Sequence, residues 1–312
     1  MVIDTGSDIN WLPCEPCSEC YQQTHPIFNP DDSSTYKRVS CDSPACSALD
    51  VSDGSINTCQ YQVSYGDGSF TIGELATETV SFGNSSFFHV AIGCDHDNEG
   101  LFIDSAGLIG LGGGSLSLPS QIKATSFSYR LVNRNSDSSS TLEFNSARPS
   151  DAVLAPLLCN SRRSTFFFVC LEGINVSCER LPILANIFQV DDSGHGGIIV
   201  DSGMAVTRLH CSVYNSLRDT FVKYAQNLPS TDGFVLFDTC FDLLSMKTAS
   251  VPTVAFHFSG GKVVVAPEEY TGSDILGGEV LKGPSFAPRD GSLVIIGNLH
   301  QQGTRVSYDF NA

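Results

Sequence analysis

The strongest constraint on this chain is a pair of short stretches, Met1-Val-Ile-Asp4-Thr5-Gly6-Ser7 and Gly197-Ile-Ile-Val-Asp201-Ser202-Gly203-Met204. Each runs an apolar segment into Asp-Thr/Ser-Gly, which reads as a buried strand followed by a tight turn. One such turn means little. Two, each led in by an apolar strand, let a two-lobed chain present a pair of carboxylates, Asp4 and Asp201. Two carboxylates at short range share one proton near neutrality. The ionised member then takes a proton from water while its partner donates one to a carbonyl oxygen. That chemistry needs no metal and no covalent intermediate.

A second repeat reinforces the first. Leu108-Ile109-Gly110 follows Asp4, with Gly110 106 residues on, and Val294-Ile295-Ile296-Gly297 follows Asp201, with Gly297 96 residues on. An Asp motif answered about a hundred residues later by apolar-apolar-Gly, twice in one chain, is an internal duplication. A phosphate-loop reading of Ala106–Ser115 fails, because no Lys follows at the required spacing.

At 312 residues the chain is long enough for two lobes, each with its own core. Charged residues make up only 16%, with 28 Gly, 14 Pro and many Ser, Thr, Val and Phe, which favours a β-rich chain with many turns. A net charge of −17 repels phosphate, so neither nucleic acid nor an anionic membrane is expected as a partner. No apolar run approaches membrane-spanning length, and the chain reads as soluble.

Twelve cysteines, six of them between Cys14 and Cys59, point to an oxidising, secretory compartment. Cys14, Cys17 and Cys20 form two Cys-x-x-Cys steps, which admit a zinc or iron–sulfur reading. No fourth ligand follows at metal spacing, so a disulfide-stapled loop is expected instead, with no metal and no cofactor; the connectivity stays open. Asn84-Ser-Ser and Asn175-Val-Ser are glycosylation acceptor triplets in that compartment.

Several stretches together carry a family resemblance: 4–23, 62–83, 93–102, 106–121, 201–209 and 292–309. They run from one end of the chain to the other. The chain resembles the pepsin-family aspartic proteases, in the plant nepenthesin-like branch and nearest the aspartic-protease-in-guard-cell type. The resemblance implies an all-β, bilobal pepsin-like acid protease fold with a few short helices. Residues 1–128 would form the N-terminal lobe, with the first Asp, the cysteine-rich insertion and a flap. Residues 129–312 would form the C-terminal lobe with the second Asp.

The same resemblance implies an aspartic endopeptidase that hydrolyses peptide bonds at acid pH. Asp4 and Asp201 would be catalytic, supported by Thr5, Gly6, Ser7, Ser202, Gly203 and Trp11. Ser7 would hydrogen-bond Asp4, and Tyr65, Gly66, Asp67 and Gly68 would form a flap over substrate, with Tyr65 bonded toward Trp11. The partner would be a polypeptide substrate, the protein a monomer, and its place the secretory pathway, extracellular or vacuolar. Relatives carry a signal, a propeptide and a first strand ahead of the motif, so the chain reads as a fragment. The alternatives are a catalytically weak or inactive homologue acting as a protein-binding, inhibitor-like module, and a degraded gene copy.

Some positions depart from the family pattern. Met204 stands where relatives carry Thr or Ser. A Cys expected near Gly283, as the partner of Cys240, is missing, and Cys94 is also expected to lack its partner. Thr165–Leu171 and Val251–Phe258 read as strands, and 213–226 as a helix with Val213, Leu217, Phe221 and Tyr224 on one face. Asn133–Ser140 is a polar loop near the lobe boundary. The seven histidines are expected at the surface.

Overall fold

A sheet that threads one strand between two others organises the first half of the chain. In the computed structural model Val2–Asp4 lies parallel to Leu108–Gly110, with Val2 opposite Leu108 and Asp4 opposite Gly110. Trp11–Pro13 returns antiparallel on the other side of the same strand. The structure describes all residues except 50–51, 54–56, 101, 103, 134–135, 234–235, 244–245, 247, 267–268, 272–280, 283–284 and 312.

The second half repeats the plan. Ile198–Val200 lies parallel to Val294–Ile296, Ile198 opposite Val294, and Thr207–His210 returns antiparallel with Arg208 opposite Ile295. The two glycines that close the apolar repeats have the same reason to be glycine. A Cβ on Gly110 would stand 2.5 Å from the Asp8 carbonyl carbon, and one on Gly297 2.6 Å from that of Val206. In both halves the strand end runs hard against the backbone of the Asp loop. The internal duplication is therefore structural.

The described chain divides into two compact units, Met1–Thr125 and Ser126–Phe310, with Asn311 grouped with the first. A boundary at 128/129 would cut the strand Ser126–Arg130, which pairs with Arg305–Asp309 in the second unit.

In the first unit the sheet continues from Trp11–Pro13 through Ser85–Glu99, Phe70–Phe82 and Gln60–Ser64 to Ser52–Asp53. Its core gathers Ile9, Trp11, Tyr61, Leu75, Phe102 and Leu108. Cys14 bonds Cys94, because parallel pairing of Leu12 with Cys94 brings the two Cα atoms to 5.3 Å. Cys94 was expected without a partner, and the strand register corrects that. Cys17 bonds Cys20 and Cys46 bonds Cys59, so the sulfurs of the Cys-x-x-Cys steps staple loops. The zinc and iron–sulfur reading of those steps is thereby overturned.

The second unit is also mainly β. A six-stranded sheet carries Leu157–Leu158, Phe168–Val169, Ile198–Val200, Val294–Ile296, Thr207–His210 and Phe286–Arg289. Among the described residues the unit's other strands form one four-stranded, two three-stranded and one two-stranded sheet, interleaved with it along the sequence. The helix runs Cys211–Tyr224, capped by the His210 ring on Ser212 N, and buries Val213, Leu217 and Phe221 while Tyr224 lies at the surface. The two expected strands are shorter than their apolar runs. The Thr165–Leu171 run contributes Phe168–Val169, since Phe166 N closes a turn onto Arg163 O. The Val251–Phe258 run starts pairing at Val254, after Pro252, which has no N–H to give a ladder.

Cys240 is a buried thiol, and the position near Gly283 lies outside the described residues. His300 corrects the expectation of surface histidines. It is 8% exposed, stacked on Phe286 at 4.1 Å, with Nδ1 2.7 Å from Thr207 Oγ1. A ring with an apolar face covered and a hydroxyl partner has no need of water. No described helix is long and apolar enough to cross a membrane.

Candidate active site

Each Asp motif sits where its strand leaves the parallel pair, and the two loops use the same local device. In the first unit Gly6 N donates to Asp4 Oδ1 at 2.7 Å. In the second, Gly203 N donates to Asp201 Oδ1 at 2.9 Å, and Met204 N to the same oxygen at 3.3 Å. The Gly two residues after each Asp thus supplies a backbone N–H, and such a donor stabilises a carboxylate in its ionised form. Both carboxylates are nearly buried, Asp4 at 5% and Asp201 at 8% exposure. Thr5 and Ser202, next in each motif, are buried as well.

The first loop is anchored from behind. Leu111 N donates to Asp4 O at 2.8 Å and Gly112 N to Ser7 O at 2.9 Å. Asn10 Oδ1 receives Gly110 N, and Asp8 Oδ1 receives Gly114 N. The side-chain bond from Ser7 to Asp4 that the resemblance implies is not made. Asp4 Oδ1 takes the Gly6 amide, while Ser7 Oγ is buried and has no hydrogen-bond partner among the described residues.

In the second loop Met204 occupies the place of Ser7. Its side chain packs against Phe168, Ile199, Leu293 and Ile295, an apolar cluster rather than a polar one. The loop backbone is held by Asn298 N on Met204 O at 2.7 Å, Leu299 N on Ala205 O at 3.1 Å and Asn298 Nδ2 on Ser202 O at 3.0 Å.

Residues 66–68 form a three-residue hairpin loop between Tyr65 and Ser69. Tyr65 N donates to Ser69 O at 2.8 Å and Gly68 N to Tyr65 O at 3.1 Å, with Gly68 at φ +91°. That bonding and the left-handed Gly match a type I turn with a G1 bulge. Asp67 Oδ1 accepts Ser69 N and fixes the tip, where Gly66, Asp67 and Gly68 are exposed. Trp11 Nε1 donates to Tyr65 Oη, and Phe102 meets both rings edge-on, at 5.0 Å from Trp11 and 5.5 Å from Tyr65. Burial raises the Tyr65 hydroxyl well above its ordinary range, so it is neutral across acid and neutral pH.

Beneath this hairpin lies a carboxylate that the motifs did not mark. Asp95 is fully buried. Tyr61 bonds Thr71, Thr71 Oγ1 donates to Asp95 Oδ1 at 2.8 Å, and Asn98 Nδ2 donates to Asp95 Oδ2. Desolvation raises its carboxyl above the usual range, and the Asn98 and Thr71 donors only partly offset this. Glu74, Cys94 and His96 come within metal-ligand reach of one another, the one such cluster among the described residues. Its sulfur is in the disulfide, and Glu74 already takes Tyr36 and Arg38, so these residues do not fit an ion.

Comparison with known proteins agrees with this architecture. The xylanase inhibitor N-terminal family matches residues 1–145 and the xylanase inhibitor C-terminal family residues 166–312. The chain is 47% identical over 99% of its length to Aspartyl protease family protein 2 of Arabidopsis thaliana, covering 65% of that protein. It is 39% identical, again over 99% of its length, to aspartic proteinase nepenthesin-2 of Nepenthes gracilis, covering 71%. The chain belongs to the pepsin-like aspartic protease family, in its plant nepenthesin-like branch.

Protein ASPARTIC PROTEASE IN GUARD CELL 2 of Arabidopsis thaliana is 41% identical over 99% of the chain, which covers 66% of it. The chain thus spans just under two thirds of Aspartyl protease family protein 2 and of Protein ASPARTIC PROTEASE IN GUARD CELL 2. Among solved structures, edgp and Basic 7S globulin from soybean each superpose with a TM-score of 0.69 at 18% identity. They cover 99% and 98% of this chain, which covers 85% of each of theirs, and they support the fold alone.

Proposed function

We propose that this member of the family is an acid endopeptidase in which Asp4 and Asp201 together activate water. The observation that carries the reading is the doubled half-site: two Asp-Thr/Ser-Gly loops at equivalent strand ends, each with a Gly N–H on the carboxylate. In this reading the pair holds one proton. The ionised member takes a proton from water as the water oxygen bonds to the peptide carbonyl carbon, and the protonated member gives its proton to the carbonyl oxygen. The tetrahedral intermediate then collapses, the C–N bond breaks, and the nitrogen leaves as an amine carrying a proton returned by the pair.

The hairpin at Tyr65–Gly68 closes over an extended polypeptide as a flap, with Trp11 steadying the tyrosine. The buried hydroxyl of Ser7, which has no partner among the described residues, is available to a bound water or to Asp4 once substrate is present. Three disulfides in the first unit favour synthesis in the secretory pathway.

The test is cleavage of a denatured protein across pH 2–7 with and without pepstatin. Acid-dependent cleavage, blocked by pepstatin and abolished by Asp201→Asn and by Asp4→Asn, is the expected result. Full activity in either variant would overturn the assignment. A second reading, a binding module, is favoured by the xylanase inhibitor name of the two matched families. It predicts tight binding of a protein partner with no cleavage at any pH.

A further inference from the structure

The two Asp loops are alike at the carboxylate and differ behind it. In the first, the residue after Gly110 holds the aspartate directly, Leu111 N on Asp4 O at 2.8 Å. In the second, the residue after Gly297 reaches further along the loop, Asn298 N on Met204 O at 2.7 Å. The Asp201 carbonyl instead receives a side chain. Gln301 Nε2 donates to Asp201 O at 3.0 Å and to Ile296 O at 2.8 Å. Ile296 O also receives Asp201 N at 3.0 Å, so one amide bridges the two parallel strands where they part.

We infer that Gln301 is the positioning residue of the second aspartate, doing by side chain what the Leu111 amide does for the first. The inference rests on the catalytic reading of Asp201 given above. Gln301 is 3% exposed and its amide is fully used. Its Oε1 accepts the hydroxyl of Tyr129, itself 1% exposed on the strand Ser126–Arg130. A phenol donor on Oε1 fixes which way the amide faces, leaving both N–H groups for the two carbonyls. The neighbouring turn is pinned too, since Thr207 Oγ1 takes Gly297 N at 2.9 Å and meets His300 Nδ1. Gln301 therefore stands on a rigid base, and what it grips is the peptide that carries the Asp201 side chain. Sub-ångström placement of a catalytic group decides rate, and a shift of about 1 Å costs on the order of 10²-fold.

Three variants test this. Gln301→Leu keeps bulk and removes both donors. Gln301→Glu keeps one donor only while its carboxyl is protonated, so its grip depends on pH. Tyr129→Phe frees the amide to turn. In Gln301→Leu the expected result is a kcat about 10- to 100-fold lower with KM nearly unchanged. In Gln301→Glu, kcat should stay close to wild type at the acid end and be lost at lower pH than in wild type as pH rises. A packing role alone would not move that limb. Amide hydrogen exchange across residues 200–205 should rise in Gln301→Leu, and less in Tyr129→Phe.

Wild-type kcat and wild-type exchange in folded Gln301→Leu overturn the inference while leaving the protease reading intact. If Gln301→Leu does not fold, an unmoved pH profile in Gln301→Glu overturns it. If the wild-type chain cleaves nothing, the protease reading fails, and exchange across the loop alone decides whether Gln301 holds it.

Discussion

Trp11 Nε1 lies 2.7 Å from Tyr65 Oη and donates to it, tying the hairpin loop to the strand that leaves the first aspartate loop. The bond is flanked by Phe102, which meets both rings, so the link is half polar and half apolar. A neutral hydrogen bond contributes about 0.5–1.5 kcal/mol net, and an edge-on aromatic pair about as much again.

Tyr65→Phe leaves the rings and removes the bond, stranding a buried indole N–H at a cost of about 1–3 kcal/mol. Trp11→Phe removes the donor but also packing volume. We expect Tyr65→Phe to lower kcat/KM by roughly tenfold, since 1.4 kcal/mol corresponds to that factor. The double variant should cost less than the sum, because both changes cut one link. A double-mutant cycle on kcat/KM measures it, and strict additivity would show that the two residues do not cooperate.

Asp95 gives the fold a pH dependence of definite sign. Its carboxyl is raised in the folded protein, chiefly by desolvation, so the folded state holds the proton more tightly than the unfolded chain does. Stability therefore falls as pH rises from the ordinary aspartate range, about 4, through the raised folded value, and the cost is complete above it. Denaturant melts from pH 3 to 7 should show this slope in the wild type and a flatter curve in Asp95→Asn. A wild-type protein more stable at pH 7 than its Asp95→Asn variant, with the two equal at pH 3, would reverse the sign and refute the argument.

How much of this was visible in the sequence follows from what each feature depends on. The duplication was legible because Asp-Thr/Ser-Gly and apolar-apolar-Gly are short local patterns, and Gly110 and Gly297 are forced by close backbone approach. The helix Cys211–Tyr224 was legible from the spacing of Val213, Leu217 and Phe221. The Cys14–Cys94 bond was not, because it depends on the register of two strands 80 residues apart. Gln301 and His300 were missed for another reason. A buried glutamine or histidine looks in sequence like an exposed one, and only the carbonyls and hydroxyl around it reveal its place. Asp95 carried no mark either, lying between Cys94 and His96 in a polar run.

The two glycosylation triplets are separated by their backbone. Asn84 sits with Gly83 at an exposed two-residue hairpin turn, where Phe82 pairs with Ser85. That turn lies at the far end of a 13-residue strand from the Tyr65–Ser69 loop, roughly 40 Å along it. Asn175 is paired on both sides, with Arg180 and with Ala255, and its Oδ1 is buried. Made in a secretory host, the protein should carry one N-linked glycan, on Asn84, and Asn84→Gln should abolish the mobility shift on endoglycosidase treatment without changing activity. Peptide mapping that finds the glycan on Asn175 would contradict this.

Met204 sets two effects against each other. Its thioether can accept weakly and donates nothing, while its side chain fills space against Phe168, Ile199, Leu293 and Ile295. Met204→Thr introduces a hydroxyl in the position of Ser7, whose own Oγ makes no bond to Asp4 in this structure. A hydrogen bond from the new hydroxyl to ionised Asp201 once substrate is bound would contribute about 1.5–3 kcal/mol. The same change removes apolar contact, which for a partly buried methionine costs on the order of 1 kcal/mol of stability. The expected variant is thus a better enzyme and a less stable protein, with kcat raised several-fold, the acid limb of its pH profile moved down and its melting temperature lowered by a few degrees. Met204→Ala separates the two effects, since it loses the same packing and gains no donor. It should melt lower without any gain in kcat or movement of the acid limb. If the Thr and Ala variants share one rate and one pH profile, the hydroxyl does not reach Asp201, and the methionine is there for its packing alone.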